Sequence, residues 1–498
     1  MVGLYSRPMV SVHAKKHDNF SVEFKFSFEA SDALKENDFA VNSWIFVPGS
    51  VGISPETYGK DQFYRDVKSN IRLITPKYSL AQLSDPEALP MASLRSSIEN
   101  VAGNPRKEAL EDYIYHLKMF AAIFKSAARD SEHRLKGSKA SDKQKGIIGD
   151  YCRFCSLIAR NYRSLEALVR GLGNEREQVL KYFRLVDEFI SHIIEMRALR
   201  MLRKIDGLKN SQELKEQREA LVGLVEGEKK YNIRKHYLSL NEDQEHNRQV
   251  VYHHGMHKKF VESDLYINLD KKKDGVAVEQ IYYSLAAGVA MIFATAVGWM
   301  TQLKFGNITW PLFIVLVISY MMKDRIKELM RFYFAHKLGN KYFDKKAKIS
   351  IGKRNIGEVK EGFDFISYDK APEKVLSMRN FAATINDAGR IFEEKIMLYR
   401  KRVCISSREL HEGNEYPLNG INEIMRLHLV RFTQKMDNPE VPVNTLDEDG
   451  SVKPVKVQKI YYVNIILQLR SADQQAQYRH FRVVMTRDGI IRVEDLQG

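Results

Sequence analysis

From Asn19 to Ala30 apolar and polar residues alternate, with Phe20, Val22, Phe24, Phe26 and Phe28 on one face and Ser21, Glu23, Lys25 and Ser27 on the other. Successive side chains of a strand point to opposite sides, so this period of two predicts a half-buried β-strand. Trp44 to Val47 and Ile71 to Thr75 predict further short strands, and Pro48, Gly49, Gly52 and Pro55 mark the loop between them. Residues 1–100 are therefore expected to form an N-terminal strand-rich domain.

The period then becomes helical. Pro105 suits a first helical turn, and Leu110, Ile114, Leu117, Phe120, Ala121 and Phe124 recur at steps of three and four. Gly137 to Gly149 reads as a polar loop, Asp150 to Arg170 as a second helix ended by Gly171 and Gly173, and Glu175 to Asp206 as a third. In the third, Val179, Phe183, Val186, Ile190 and Ile193 fit a heptad seam that Arg197 interrupts, which predicts an antiparallel bundle rather than a long coiled coil. Mixed charges from Ser211 to Lys230 predict a solvated helix face. Residues 101–270 are expected to be one helical region.

Two uncharged stretches follow, Ile281 to Leu303 and Phe305 to Met322, separated by Lys304. A hydrocarbon core about 30 Å thick takes roughly 20 apolar residues at about 1.5 Å each, so the pair predicts a two-helix transmembrane hairpin over 281–322, with spans at 281–301 and 306–322. Tyr282, Tyr283 and Tyr320 at one level and Trp299 and Trp310 at the other suit the two headgroup zones. Ala286, Ala290, Ala294 and Gly298 recur every fourth residue and form a smooth helix-packing ridge, open to two uses: closing the hairpin, or pairing chains in a homo-oligomer.

Beyond the spans, Lys323 to Leu338 continues as a basic helix with a stripe of Ile326, Leu329, Met330, Tyr333 and Phe334. Pro372 opens a helix expected to run to Arg400, while Ile421 to Thr433 fits helix and strand templates equally. Val457 to Leu469, Tyr478 to Thr486 and Ile490 to Val493 predict strands, the last two joined by Asp488-Gly489. The fold class is thus an α+β membrane-anchored protein: an N-terminal β-containing domain, a helical bundle, the transmembrane hairpin, and a basic juxtamembrane helix with a C-terminal α+β domain over 323–498.

Charge orients this arrangement. The 498 residues carry a formal +15. Between Lys323 and Lys348 nine Lys or Arg stand against three acids, and Lys271, Lys272 and Lys273 precede the first span. Positive flanks face the cytoplasm, which predicts a multi-pass inner-membrane protein with both termini cytoplasmic and the Lys304–Asn307 turn outside. Lys323, Arg325, Lys327 and Arg331 are the candidate contacts to anionic headgroups, each worth about 1 kcal/mol near the surface. The lipid bilayer is the expected partner. Nucleic acid is not, since no recognition motif accompanies the basic charge.

Candidate chemistry is sparse. Cys152 and Cys155 share a helical face, but no second pair of ligands stands at zinc spacing, and they read as core residues. With Cys404 they make no disulfide framework, and no hydrophobic leader opens the chain. His253 and His257 are four apart and on a helix could share a metal, yet the run His253-His254-Gly255-Met256-His257 is read as a polar linker because the Glu of H-E-x-x-H is missing. Asp447-Glu448-Asp449-Gly450 reads as a turn between strands. Nucleotide-binding and hydrolase signatures are lacking, so no catalytic, cofactor or metal residue is assigned. The expected role is non-enzymatic tethering, scaffolding or regulation. The alternatives are a membrane-disrupting effector whose spans oligomerise on a cytoplasmic signal, and a membrane-anchored enzyme with an unfamiliar site.

Overall fold

The structure is a computed structural model that describes residues 9–103, 106–138, 140–170, 177–208, 211–267, 269–306, 310–339, 343–352, 354–381, 394–412, 414–472 and 474–496. It divides the chain into two units that do not follow sequence order. One comprises Met1–Arg72, Ile267–Asn414 and Asn419–Gly498, the other Leu73–Tyr266 with Glu415–Leu418. The expected separation of an N-terminal domain at residue 100 from a C-terminal one at 323 differs from this, because strands from both ends interleave.

The first unit contains β1 (Met9–Lys16), β2 (Ser21–Glu29), β3 (Glu36–Val47), α1 (Lys60–Asp66) and β4 (Val67–Leu73). After the helical unit come β5 (Tyr266–Ile267), β6 (Asp270–Lys273), β7 (Lys345–Ile351), β8 (Arg354–Ile366), β9 (Lys395–Ser406) and β10 (Gly420–His428). The C-terminal segment supplies β11 (Glu440–Leu446), β12 (Val452–Gln458), β13 (Tyr461–Ser471), β14 (Gln477–Thr486) and β15 (Gly489–Asp495). One sheet has the order β1-β2-β10-β4-β5 and another β15-β14-β13-β3-β9-β8-β7-β6; β11 and β12 pair as an exposed ribbon. Every pairing from β6 to β15 for which a register is defined is antiparallel.

The predicted alternation of β2 is borne out: Val22, Phe24, Phe26 and Phe28 are buried. They meet the large sheet through Phe24 against Phe481 (5.8 Å between ring centroids) and Phe28 against Phe39 (5.5 Å). β3 is central and buried on both faces, which explains the unbroken apolar run at its end. Phe39, Val41 and Ile45 lie on the face toward β2, whereas Trp44 and Phe46 pack with Val375 and Met378 of the helix Glu373–Phe381. Asp488-Gly489 turns the chain into β15 with φ of +134° at Gly489, where a Cβ would come within 2.4 Å of the Asn19 carbonyl oxygen, so glycine is required.

Two expectations need correction here. The helix after Pro372 ends at Phe381, and Lys395–Arg400 belongs to β9; Ile385 and Ile391 lie outside the described residues. The helical template misled because Ile396 fits its spacing, whereas in β9 Met397, Tyr399, Lys401, Val403 and Ile405 alternate along one buried face and Ile396 packs on the other with Val375 and Met378. Ile421 to Thr433 divides into β10 and a short helix, Val430–Thr433.

That alternation places a lysine in the core. Lys401 is 1% exposed at its side chain and lies between Glu361 (4%) and Glu423 (0%). Lys401 and Glu361 are cross-strand neighbours on β9 and β8, 3.0 Å apart, whereas Glu423 reaches the same ammonium from β10 in the other sheet. Tyr399 donates to Glu361 at 3.1 Å, Lys271 of β6 adds a contact at 2.9 Å, and Ser69 donates to Glu423. Burial by itself would push the Glu361 carboxyl up, but Lys401 and Lys271 outweigh it and hold it down at about 2.

The second unit is helical: α2 (Leu80–Leu83), α3 (Leu89–Gly103), α4 (Lys107–Gly137), α5 (Ser141–Ser164), α6 (Glu166–Arg170), α7 (Glu177–Asp206), α8 (Lys215–Lys235) and α9 (Gln244–Glu262). The expected loop at Gly137–Gly149 is much shorter, since α5 begins at Ser141; Gln144 and Ile148 supply the buried face that its glycines disguised. Arg197, which interrupts the seam of α7, is buried and bonded to Glu132 of α4. The mixed charge of α8 is not wholly solvated: Glu228 accepts from Arg163 and from Ser191, and Asn232 also meets Ser191 at 2.8 Å. The segment Glu415–Leu418 joins this unit, with the Tyr416 hydroxyl 2.9 Å from His116 Nδ1.

Leaving two carboxylates buried without their cation costs about 3–5 kcal/mol. Lys401→Met is therefore expected to lower the melting temperature of the protein steeply, more than the exposed-pair variant Arg402→Met. Because the Glu361 pKa is depressed in the folded state, its contribution is complete above the ordinary carboxylate range and is lost as pH falls toward about 2. Acid titration of the wild type and of Glu361→Gln, followed by near-ultraviolet circular dichroism, should show the variant's stability varying less over that window.

Candidate functional site

Two helices leave and re-enter the large sheet side by side. α10 (Val276–Phe305) follows β6 directly, and α11 (Trp310–Gly339) is followed by β7. Within α10, Val278–Lys304 is long and apolar enough to cross a membrane, with mean hydropathy 1.7 and only 11% of its most apolar window buried. A core helix of a soluble protein would be mostly buried. Instead, Ile281, Ile292, Met300 and Leu303 are exposed, as are Phe313, Ile314 and Ile318 of α11.

Among the described residues α10 is the one helix that meets this measure, so a two-span hairpin is not established by length and composition. The uncharged part of α11 that the structure describes runs from Trp310 to Met322, about 20 Å of helix against a core of about 30 Å. The tripeptide Asn307-Ile308-Thr309, and with it the last residue of the expected Lys304–Asn307 turn, lies outside the described residues.

The helix-packing ridge faces α11. Ala286 and Ala290 are buried, Ala294 accepts a 3.4 Å hydrogen bond from Ser319 through its carbonyl, and a Cβ on Gly298 would meet Leu316 at 3.4 Å. Arg331 lies 5.0 Å over the Tyr283 ring. The pairs 283–331, 294–319 and 298–316 advance in opposite directions, as antiparallel neighbours must. Small residues let these backbones close up.

The four basic candidates sit on the extension of α11. Lys323 caps the Tyr320 ring at 3.8 Å, Arg331 stacks on Tyr283, Lys327 is half-buried and Arg325 is exposed. The preceding lysines are engaged: Lys271 by Glu361, Lys272 by Asp270 at 3.0 Å and Lys273 by Glu279 at 2.6 Å.

Cys152 and Cys155 lie in α5, half-buried and buried respectively. Burial pushes the Cys152 thiol up to about 11 and the Cys155 thiol higher, away from the low values of reactive pairs.

The histidine run differs most from expectation. It is not a linker but lies within α9, whose N-cap Asp243 accepts from the amides of Glu245 and His246. His257 is buried and His253 half-buried, both against α7. Glu188 of α7 has its carboxylate 3.3 Å from His253 Nε2, and the His253 and His257 rings are 4.0 Å apart. His192, one turn beyond Glu188, stacks on His254 at 3.7 Å. Burial, assisted by the neighbouring imidazoles, lowers His192 to about 3 and both His254 and His257 to about 4; burial raises Glu188. Sequence reasoning missed the partner helix, although Glu188 and His192 repeat the four-residue spacing of His253 and His257.

No family model, no curated protein and no solved structure matches this chain.

If the ridge is the seam of the hairpin, Ala290→Leu with Ala294→Leu overpacks it. The expected cost is about 1–3 kcal/mol, read as a lower melting temperature in detergent. Gly288→Leu, on the exposed side of α10, should change it little.

Proposed function

We propose that this chain is an integral inner-membrane protein of bacterial type that crosses the bilayer twice through α10 and α11, and that it serves as a non-enzymatic tether, scaffold or regulator with both termini in the cytoplasm. The observation carrying this reading is the pairing of β6 with β7: Asp270 opposes Lys348, Lys271 Ala347, Lys272 Lys346 and Lys273 Lys345. Those strands are the two ends of the hairpin and share one ladder. If α10 crosses a bilayer, α11 must bring the chain back. The exposed apolar faces of both helices favour lipid over water around them. The short apolar part of α11 is accommodated by local thinning of the bilayer and by Lys323 extending toward the headgroups.

Lys323, Arg325, Lys327 and Arg331 then lie on the cytoplasmic side, where anionic lipid attracts them. The small-residue ridge is occupied within the hairpin, and neither uncharged stretch carries Asp, Glu, Lys, Arg or His, groups that usually line an ion pathway. This favours a tether over a membrane-disrupting effector.

In a background in which Cys152, Cys155 and Cys404 are replaced by Ala, Lys304→Cys should react with a membrane-impermeant maleimide added outside intact cells, and Lys272→Cys should react only after lysis. Labelling in the reverse order overturns the orientation, and labelling of both from outside overturns the hairpin. A membrane-potential dye in cells expressing the wild type should show no depolarisation; collapse of the potential would instead support the effector.

A further inference from the structure

We infer that Glu188, His253 and His257 form a binding site for a divalent transition-metal ion of the zinc type, between α7 and α9. One donor atom from each lies within 4.8 Å of the other two. Tetrahedral ligands at about 2.0–2.2 Å from one ion stand about 3.3–3.6 Å apart, and the Glu188–His253 separation of 3.3 Å already matches that spacing, so modest side-chain movement brings in the third ligand. Both histidines project from one face of α9, and Glu188 meets them from the facing helix. The helices that carry them are anchored elsewhere: Tyr182 stacks on Phe260 at 5.4 Å, and α7 is bonded to α4 through Arg197 and Glu132.

A purely structural histidine–carboxylate pair accounts less well for what is seen. The His253 contact to Glu188, at 3.3–3.4 Å, is longer than a charge-assisted hydrogen bond of about 2.7–2.9 Å. His257, 5% exposed, has no hydrogen-bond partner for its Nδ1. Buried polar atoms are nearly always satisfied, and a metal ion between the three side chains would use the nitrogens that protein groups leave unused. Glu188 also lines a cavity of about 170 Å³ together with His192, Glu195, Leu199, Val251 and His254. There is room beside Glu188 for water or a small anion, and His192 and His254 bring two further imidazoles to the cavity wall. Two nitrogens and one carboxylate oxygen suit Zn²⁺, Fe²⁺, Co²⁺ or Ni²⁺; they do not suit Ca²⁺ or Mg²⁺, which prefer oxygen, or Cu⁺, which prefers sulfur.

The test uses the full chain in detergent, stripped with a chelator and dialysed. Zn²⁺ measured by mass spectrometry after gel filtration should reach one equivalent per chain, and Co²⁺ should give the visible d–d bands of a four- or five-coordinate nitrogen–oxygen site, bleached by Zn²⁺. Glu188→Gln, which keeps shape and hydrogen bonding, should weaken Co²⁺ binding by about tenfold or more, and His253→Ala with His257→Ala should abolish the bands. His133→Ala, exposed on α4, should leave them unchanged. Wild-type protein that binds neither ion at micromolar concentration, or a double variant that keeps the bands, overturns the site. If the variants do not fold, the wild type decides: a saturable Zn²⁺-dependent rise in its melting temperature together with the Co²⁺ bands supports the site, and the lack of either refutes it. None of these readouts depends on membrane topology.

Discussion

Four residue pairs between β6 and β7 constrain more of this protein than any other contact. They close a long excursion of chain, two helices of 30 residues each, back onto adjacent strands of one sheet. A helix of 30 residues extends about 45 Å, so the distal end of the hairpin stands well clear of the ladder that anchors it. Its packing must be internal, which is why small residues line the contact between α10 and α11 and large ones face outward. The basic flanks follow from the same closure: the lysines of β6 and β7 oppose one another across the ladder, and acids at Asp270, Glu358, Glu361 and Glu279 hold them.

The ladder is in turn secured to the core by charge. Lys271 in β6 reaches Glu361, Glu361 holds Lys401, and Lys401 holds Glu423 in the opposite sheet. Apolar side chains of similar volume would serve stability as well or better. What they would not supply is a preference for one register. A shift of β9 by one residue would turn Lys401 out of the core and bring Arg400 or Arg402 in, leaving two carboxylates without the cation placed to meet them. In a sheet assembled from three separated stretches of chain, such a pairing discriminates among alternatives that hydrophobic alternation alone would accept.

What the sequence revealed depended on whether a pattern was local. The alternation of β2, the uncharged stretch of α10, the Asp447–Gly450 turn and the Asp488-Gly489 turn are each written within a dozen or so neighbouring residues, and each is found. The partition into units is not local. Nothing in Phe39 or Val41 signals that β3 will lie between β13 and β9, hundreds of residues away, so the strands at the two ends of the chain read as two domains. At Lys395–Ser406 the charges of Arg400, Lys401 and Arg402 obscure the alternation, because a buried lysine is legible only once its two glutamates are placed.

The histidine cluster sits between these cases. Half of it is visible as the spacing of His253 and His257, and the missing Glu of a metalloprotease motif does not make the run a linker, since a carboxylate can come from another helix. Glu188 and His192 are four residues apart and share one face of α7, the side away from the stripe of Val186, Ile190, Ile193 and Ile194. Buried polar groups demand partners. In this protein the same demand is met three ways: by an arginine for Glu132, by a lysine for Glu361 and Glu423, and, for Glu188, by imidazoles that leave one buried nitrogen still unpaired. Each also leaves a buried atom unpaired, Arg197 Nε in the first and Glu423 Oε2 in the second, but the third is the one that gathers two imidazoles and a carboxylate into a single ligand set.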